Sequence, residues 1–140
     1  MDRPQSFIAS MLIVDDHDGV RNAVRDWLSA TYPGLRLQEA RDAEDAMRIV
    51  EGGRFDLVLM DIGLPGMSGI EATRRLCAHD PGQKVVMVSV HDSEAQRAAA
   101  IAAGAAGFVS KRRMHEGLRE ILDRLFADRL VPRGVEDGSK

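Results

Sequence analysis

Five short apolar runs alternate with five amphipathic helical patterns along this 140-residue chain, and that alternation restricts its possible folds more than any other feature. The runs are Phe7–Val14, Leu35–Ala40, Phe55–Ile62, Lys84–Val90 and Gly107–Lys111. Three of them contain MLIV, DLVLM and VVMVSV and are apolar nearly throughout, which is typical of parallel strands covered on both faces. The repeated alternation predicts right-handed βαβ units and an α/β fold with a doubly wound parallel sheet.

The segments between the runs have the helical period and carry recognisable start signals. Ser68 and Glu71 have the spacing of a capping box, and so do Ser93 and Gln96 before the fourth helix. Both flavodoxin-like and Rossmann strand orders fit this pattern. No G-x-G-x-x-G follows the first strand, so nothing in the sequence supports dinucleotide binding.

Composition narrows the class of protein further. The chain has 19 Lys and Arg against 22 Asp and Glu, a formal charge of −3, whereas a generic nucleic-acid binder needs clustered basic excess. A single cysteine, Cys77, excludes an internal disulfide and a Cys-rich zinc module. No apolar run approaches the ~20 residues of a membrane span, and the first residues lack a signal-peptide apolar region. We therefore expect one cytoplasmic domain with no membrane partner.

Chemically useful side chains stand where the predicted strands end. The first strand ends in Asp15-Asp16, the third in Asp61, the fourth in Ser89 and the fifth in Lys111. In doubly wound sheets the working site lies at the carboxyl ends of the strands, where the strand order reverses. If the first and third strands are neighbours, three carboxylates converge there. Asp15 and Asp16 also have a simpler interpretation, as acidic residues that favour the positive end of the first helix.

Three converging carboxylates would repel one another unless cations compensate them. A hard divalent cation such as Mg²⁺ takes carboxylate oxygens and leaves room for a phosphate oxygen. Lys111 would add a positive charge. Carboxylates, a divalent cation, a hydroxyl and a lysine together predict a phosphoryl-transfer site.

Four segments in this order, LIVDDHDGV, LVLMDIGLPGMSGIEATRRL, VVMVSV and AGAAGFVSK, resemble the receiver domain of two-component response regulators. The resemblance covers about residues 7–126, and it implies a flavodoxin-like (βα)5 sheet in the order 2-1-3-4-5. It also implies a signalling domain rather than an enzyme, which takes a phosphoryl group from a sensor histidine kinase and assists its own phosphorylation and dephosphorylation.

By this resemblance, Asp61 matches the phosphoacceptor aspartate. Asp15 and Asp16 match the acidic pair that holds Mg²⁺ (or Mn²⁺) together with Asp61, and the backbone carbonyl of Gly63 matches a further metal ligand. Aspartate is a competent nucleophile toward phosphorus, which supports the assignment independently.

The resemblance also assigns a switch. Ser89 matches the hydroxyl that turns toward the phosphoryl group, Lys111 the lysine that binds phosphate, and Phe108 the aromatic residue that swings inward. The α4–β5–α5 face would then change and control dimerisation or an output domain. Two residues are candidate modulators: His91 through water access to the acyl phosphate, and Arg112 through steering of an acidic partner.

Two local features complete the expectations. Arg112, rather than the proline of many receivers, follows Lys111 and leaves the geometry of that turn open. His17 and His91 flank the site but lack metal-ligand spacing, so both are interpreted as solvated.

The segments DGVRNAVRDWL, GMSGIEATRRL and GAAGFVSK most resemble the LuxR-type transcriptional regulators. Residues 1–127 are accordingly expected to form the receiver domain. Residues 128–140 are expected to form a linker or disordered tail, either leading to a helix-turn-helix domain outside this chain or left from an expression tag, since LVPRG resembles a thrombin-cleavage sequence. DNA would be contacted only through such an output domain.

Two other functions are considered. Asp16-His17-Asp18-Gly19-Val20 after an apolar strand resembles the nucleophile motif of haloacid-dehalogenase-type phosphatases, with Asp16 as nucleophile. That interpretation leaves Asp61 without a role and lacks the acidic metal motif expected after the lysine. The other is a stand-alone receiver-like module that acts by protein–protein interaction, which should lack a Mg²⁺ site if it is never phosphorylated.

Overall fold

The computed structural model describes residues 9–126, and within them a five-stranded parallel sheet alternates with five α-helices. The strands are β1 (Ala9–Val14), β2 (Leu35–Ala40), β3 (Leu57–Asp61), β4 (Val85–Ser89) and β5 (Gly107–Ser110). The helices are α1 (Asp18–Thr31), α2 (Ala43–Glu51), α3 (Gly69–His79), α4 (Glu94–Ala102) and α5 (Met114–Leu125). A 3₁₀ turn, Lys111–Arg113, joins β5 to α5.

The sheet has the strand order β2-β1-β3-β4-β5, which confirms the flavodoxin-like order and excludes the Rossmann one. All four strand pairs are parallel. β1 and β3 are hydrogen-bonded neighbours, with Val14 opposite Met60. Because the chain winds outward in both directions from this pair, the strand order reverses between β1 and β3. The carboxyl ends of these two strands therefore form the crevice in which such folds bind ligands.

Apolar residues on the two faces of the sheet pack into two separate clusters. Leu12 and Val14 of β1 point toward one cluster, and Met11 and Ile13 point toward the other, as the two-residue period of a strand requires. Helices α2, α3 and α4 cover the first face, and α1 and α5 cover the second. Burial on both faces explains why the central strands are apolar nearly throughout.

Two helix starts have the N-cap hydrogen bonds that the sequence predicts, whereas the start of α1 has none. Ser68 accepts a hydrogen bond from the Glu71 N–H at 3.1 Å, and Ser93 accepts one from the Gln96 N–H at 3.1 Å, which confirms both N-caps. The residue before α1 is His17, and its side chain makes no capping hydrogen bond. Asp15 and Asp16 thus lie just before the N-cap residue, and Asp15 Oδ1 accepts a hydrogen bond from the His17 N–H at 2.9 Å. Their interpretation as acidic residues near the positive end of α1 stays a prediction.

The predicted boundaries differ from the structure at several ends. The fifth strand stops at Ser110 rather than Lys111, because the Ser110 hydroxyl accepts a hydrogen bond from the Arg112 N–H at 3.3 Å and starts the 3₁₀ turn. The third and fourth strands are shorter than their apolar runs by a few residues. The first two residues of the first predicted run and the tail 128–140 lie outside the described residues. Over residues 9–126, no helix has the length and apolarity needed to cross a membrane.

Candidate phosphoryl-transfer site

Lys111 joins the ends of β1 and β3 through two ion pairs. Its ammonium Nζ lies 3.0 Å from Asp15 Oδ2 and 3.3 Å from Asp61 Oδ2. All three side chains are largely buried, with 12% of the Lys111 side chain exposed against 7% and 6% for Asp15 and Asp61. At that depth a cation between two carboxylates compensates much of their mutual repulsion.

Asp61 is held from two directions. Its Oδ1 accepts a hydrogen bond from the Gly63 N–H at 3.1 Å, while its Oδ2 faces Lys111. Burial raises the pKa of Asp61 and the Asp15 charge raises it further, whereas the Lys111 charge and the Gly63 hydrogen bond act against this, and the pKa remains above its ordinary value. The carboxyl group is thus both buried and short of stabilising charge, a state that a bound cation relieves.

Lys111 is electrostatically matched to this pair. Burial by itself would lower the pKa of its ammonium, but the hydrogen bond to Asp15 and the charges of Asp61 and Asp15 outweigh burial. The net pKa lies above its ordinary value, so Lys111 is a fixed positive charge at neutral pH.

Asp15, Asp16, His17 and Asp61 form a cluster in which each residue offers one potential metal-ligand atom, all within 4.8 Å of one another. Asp16 Oδ1 is buried and has no hydrogen-bond partner among the described residues. A buried carboxylate oxygen without a donor is costly, and a hard cation is a suitable partner for it. The donor set of this cluster therefore fits Mg²⁺ or Mn²⁺.

His17 is exposed, as its interpretation as a solvated residue predicts, but it also contacts the acidic cluster. Its side chain is 64% exposed, and Nδ1 shares a hydrogen bond with Asp15 Oδ1 at 3.3 Å. The same Nδ1 lies 3.4 Å from Asp16 Oδ1 but makes no hydrogen bond to it. Its backbone N–H also donates to Asp15 Oδ1 at 2.9 Å. Position directly after Asp15-Asp16 was the only sequence signal for this contact.

The switch candidates lie on the next two strands. Ser89 ends β4, is buried, and uses its hydroxyl to donate to Gln96 Oε1 of α4 at 2.8 Å. Phe108 on β5 is half-buried, and the Arg97 guanidinium lies 4.7 Å from the centre of its ring. Both candidates therefore contact the start of α4.

The two proposed modulators are exposed. The His91 side chain is open to solvent, and the backbone N–H of His91 donates to Ser89 Oγ at 3.0 Å. Arg112 is exposed in the 3₁₀ turn beside Lys111. The turn keeps Lys111 in contact with both carboxylates although no proline follows it. The modulating roles of His91 and Arg112 stay predictions.

Sequence reasoning missed Arg21 and Gln96 as parts of the site. Arg21 of α1 is buried, and its Nη1 donates to the main-chain carbonyl oxygen of Asp15 at 2.7 Å. An arginine one turn into a helix that follows an acidic pair was the available signal. Gln96 was recognised only as part of a capping pattern.

The comparisons with known proteins agree with this geometry. A family model for the response regulator receiver domain matches residues 11–123. The chain is 36% identical over 118 residues to the response regulator GacA of Pseudomonas aeruginosa, which covers 84% of this chain and 55% of GacA. It is 34% identical over 110 residues to the transcriptional regulatory protein DegU of Brevibacillus brevis, covering 79% of this chain and 47% of DegU. The chain thus spans about half the length of these curated relatives.

A solved structure shows the same likeness. The crystal structure of a two-component response regulator of the LuxR family from Aurantimonas sp. SI85-9A1 superposes with a TM-score of 0.80 at 34% sequence identity. The match covers 88% of this chain and 88% of that chain.

Proposed function

The chain belongs to the response regulator receiver domain family, and from that premise we propose that it accepts a phosphoryl group on Asp61 from a sensor histidine kinase. The observation that carries the proposal is the ion pairing of Lys111 with both Asp15 and Asp61 at the point where the strand order reverses. The haloacid-dehalogenase alternative, with Asp16 as nucleophile, gives Asp61 no role, whereas this arrangement makes Asp61 a central group of the site.

The proposed metal ligands are the carboxylates of Asp15, Asp16 and Asp61 and the backbone carbonyl of Gly63. When bound there, Mg²⁺ or Mn²⁺ neutralises charge on the phosphoryl oxygens. Two observations support a site that a cation completes: Asp16 Oδ1 is buried without a hydrogen-bond partner among the described residues, and the pKa of Asp61 is raised.

The transfer itself is a displacement at phosphorus. A carboxylate oxygen of Asp61 forms the new O–P bond, the N–P bond of the kinase phosphohistidine breaks, and its electron pair stays on the histidine nitrogen. The Gly63 N–H orients the Asp61 carboxylate. Lys111 supplies a fixed positive charge for the phosphoryl oxygens. In this sense the domain assists its own phosphorylation and later hydrolysis.

The proposed output is a change of the face formed by α4, β5 and α5. New charge on Asp61 attracts the Ser89 hydroxyl and Lys111. When Ser89 gives up its hydrogen bond to Gln96 of α4, Phe108 becomes free to move. We expect this change to promote a homodimer or to act on a transcriptional output domain. Contact with DNA would belong to that output domain.

The proposed division of the chain is a receiver domain over residues 1–127 and a linker over residues 128–140. The family supports the first part. We expect the protein to act in the cytoplasm, where a sensor kinase presents its phosphohistidine.

Intact-protein mass spectrometry tests the proposed acceptor. Wild-type protein is incubated with Mg²⁺ and acetyl phosphate beside Asp61→Asn, which keeps the side-chain shape but removes the nucleophile. We expect one acid-stable, base-labile phosphoryl group in the wild type only. Phosphorylation of Asp61→Asn would refute the assignment of the acceptor.

A second measurement covers a phosphoryl group that is too short-lived to observe. Calorimetric titration with beryllium fluoride and Mg²⁺ reports whether the site holds a phosphoryl-like group. Absence of both the adduct and fluoroberyllate binding would favour a receiver-like module that is never phosphorylated.

A further inference from the structure

The hydroxyl of Ser89 is fully engaged at the boundary between β4 and α4. It donates to Gln96 Oε1 at 2.8 Å and accepts from the His91 N–H at 3.0 Å. Only 4% of Ser89 is exposed. A hydroxyl has a single proton, so Ser89 cannot donate to Gln96 and to a phosphoryl oxygen at the same time.

Gln96 has left its ordinary local role to make this contact. It stands three residues after the N-cap Ser93, where a glutamine side chain commonly returns to the N–H of the cap. The Ser93 hydroxyl does cap the Gln96 N–H at 3.1 Å. The Gln96 side chain, however, gives its carbonyl oxygen to Ser89. The choice of a distant partner over a local one ties α4 to β4.

The next residue of the helix contacts the other switch candidate. The Arg97 guanidinium lies 4.7 Å from the ring centre of Phe108, within the range of a cation–π interaction. Asp92 holds the guanidinium in place, because Arg97 Nε donates to Asp92 Oδ1 at 2.8 Å. Successive residues of α4 thus contact Ser89 on β4 and Phe108 on β5.

We propose that Gln96 is a positioning residue that retains the Ser89 hydroxyl in the unphosphorylated domain and so competes with the phosphoryl group for it. This inference rests on the proposed function of Asp61. The competition sets the fraction of molecules in which the Ser89 hydroxyl is free to bind a phosphoryl group. The smaller this fraction is, the weaker is the apparent affinity of the site for such a group. Weakening the contact therefore strengthens phosphoryl binding.

The test is a calorimetric titration of the full 140-residue chain with beryllium fluoride in the presence of Mg²⁺. Gln96→Met keeps the length of the side chain and removes the acceptor. A hydrogen bond is worth a modest net free energy, so we expect the apparent affinity for fluoroberyllate to rise roughly three- to tenfold. Gln38→Met, at an exposed position of β2, is the matched control and should behave as the wild type does.

A double-mutant cycle separates this role from a general effect on α4. In a Ser89→Ala background there is no hydroxyl to retain, so adding Gln96→Met should leave the affinity unchanged. An affinity that does not rise in Gln96→Met, or that rises equally with Ser89→Ala present, would overturn the inference. Failure of the wild type to bind fluoroberyllate would instead refute the proposed function, and the role of Gln96 with it.

Discussion

Arg21 Nη1 donates a 2.7 Å hydrogen bond to the main-chain carbonyl oxygen of Asp15, which fixes the acidic end of β1 to the first turn of α1. The same guanidinium pairs with Glu39 at the end of β2 at 2.8 Å and with Asp18 at 2.7 Å. Burial would raise the pKa of Glu39, but Arg25 and Arg21 outweigh it and hold the pKa below its ordinary value. A buried cation therefore supports the backbone from which Asp15 and Asp16 project.

Removing this support should destabilise the domain. Arg21→Met leaves the Asp15 carbonyl without its donor and Glu39 with only one basic partner, and we expect a loss of about 2–3 kcal/mol in the free energy of unfolding. Urea titration followed by circular dichroism measures it. Arg25 is the more exposed partner of Glu39, with 38% of the Arg25 side chain open to solvent. Arg25→Met should therefore lower the free energy of unfolding by less than about 1 kcal/mol. Equal losses for the two variants would contradict the special role of Arg21.

The raised pKa of Asp61 predicts a pH-dependent stability. Its protonated form is favoured in the folded protein, so this contribution to stability is fully present below the ordinary pKa of 3.8 and is lost as the pH rises through the raised pKa. Asp61→Asn stays uncharged and should unfold at higher urea concentration than the wild type at neutral pH without Mg²⁺. The advantage should shrink as the pH falls from neutral through the raised pKa, and it should be gone below 3.8. A difference that does not depend on pH would show that charge on Asp61 is not its cause.

A cation at the proposed metal site would compete with Lys111 for the carboxylates of Asp15 and Asp61. Lys111→Met removes an ammonium that lies 3.0 Å and 3.3 Å from Asp15 and Asp61, so we expect Mg²⁺ to bind roughly three- to tenfold more tightly while phosphorylation by acetyl phosphate slows. Calorimetric titration with MgCl₂ gives the affinity. The control is Arg112→Met, an exposed basic neighbour, which should change it less than about twofold. Weaker Mg²⁺ binding in Lys111→Met would contradict this competition.

Gly69 allows α3 to start directly against the end of β3. A Cβ at this position would lie 2.1 Å from the main-chain carbonyl oxygen of Asp61, so Gly69→Ala must displace one of the two backbones. We expect a loss of about 2–3 kcal/mol in unfolding free energy and slower phosphorylation, because Asp61 shifts with its strand.

Gly19→Ala is the matched control for this steric argument. Nothing lies within 4 Å of a Cβ at Gly19, and alanine is the better helix former. Thermal unfolding should therefore show a small gain, up to about 1 kcal/mol. A Gly69→Ala protein as stable as Gly19→Ala would show that α3 can shift without cost.

The chain alone determined the layers of the fold and the identity of the acidic centre. Runs such as DLVLM must be covered on both faces, and parallel strands bring their carboxyl ends to one edge of the sheet. The sequence therefore predicts that Asp15, Asp16, Asp61 and Lys111 lie close together. The order of the strands needed the resemblance to a known family, since periodicity alone allowed two orders. Ser68 and Ser93 were recognisable as caps because capping depends on spacing within one turn.

The hydrogen-bond partners of the longer polar side chains were decided only by the tertiary structure. Gln96 had a local partner in its own capping box, yet it bonds to Ser89, seven residues earlier, because α4 packs beside the end of β4. An arginine in an amphipathic helix usually lies on its exposed face. Arg21 is instead buried, because the turn after β1 brings its side chain within hydrogen-bond distance of the Asp15 carbonyl oxygen. Spacing along a chain specifies which residues share a face, whereas these hydrogen bonds depend on where separate elements meet, and that is settled only when the sheet and its helices pack together.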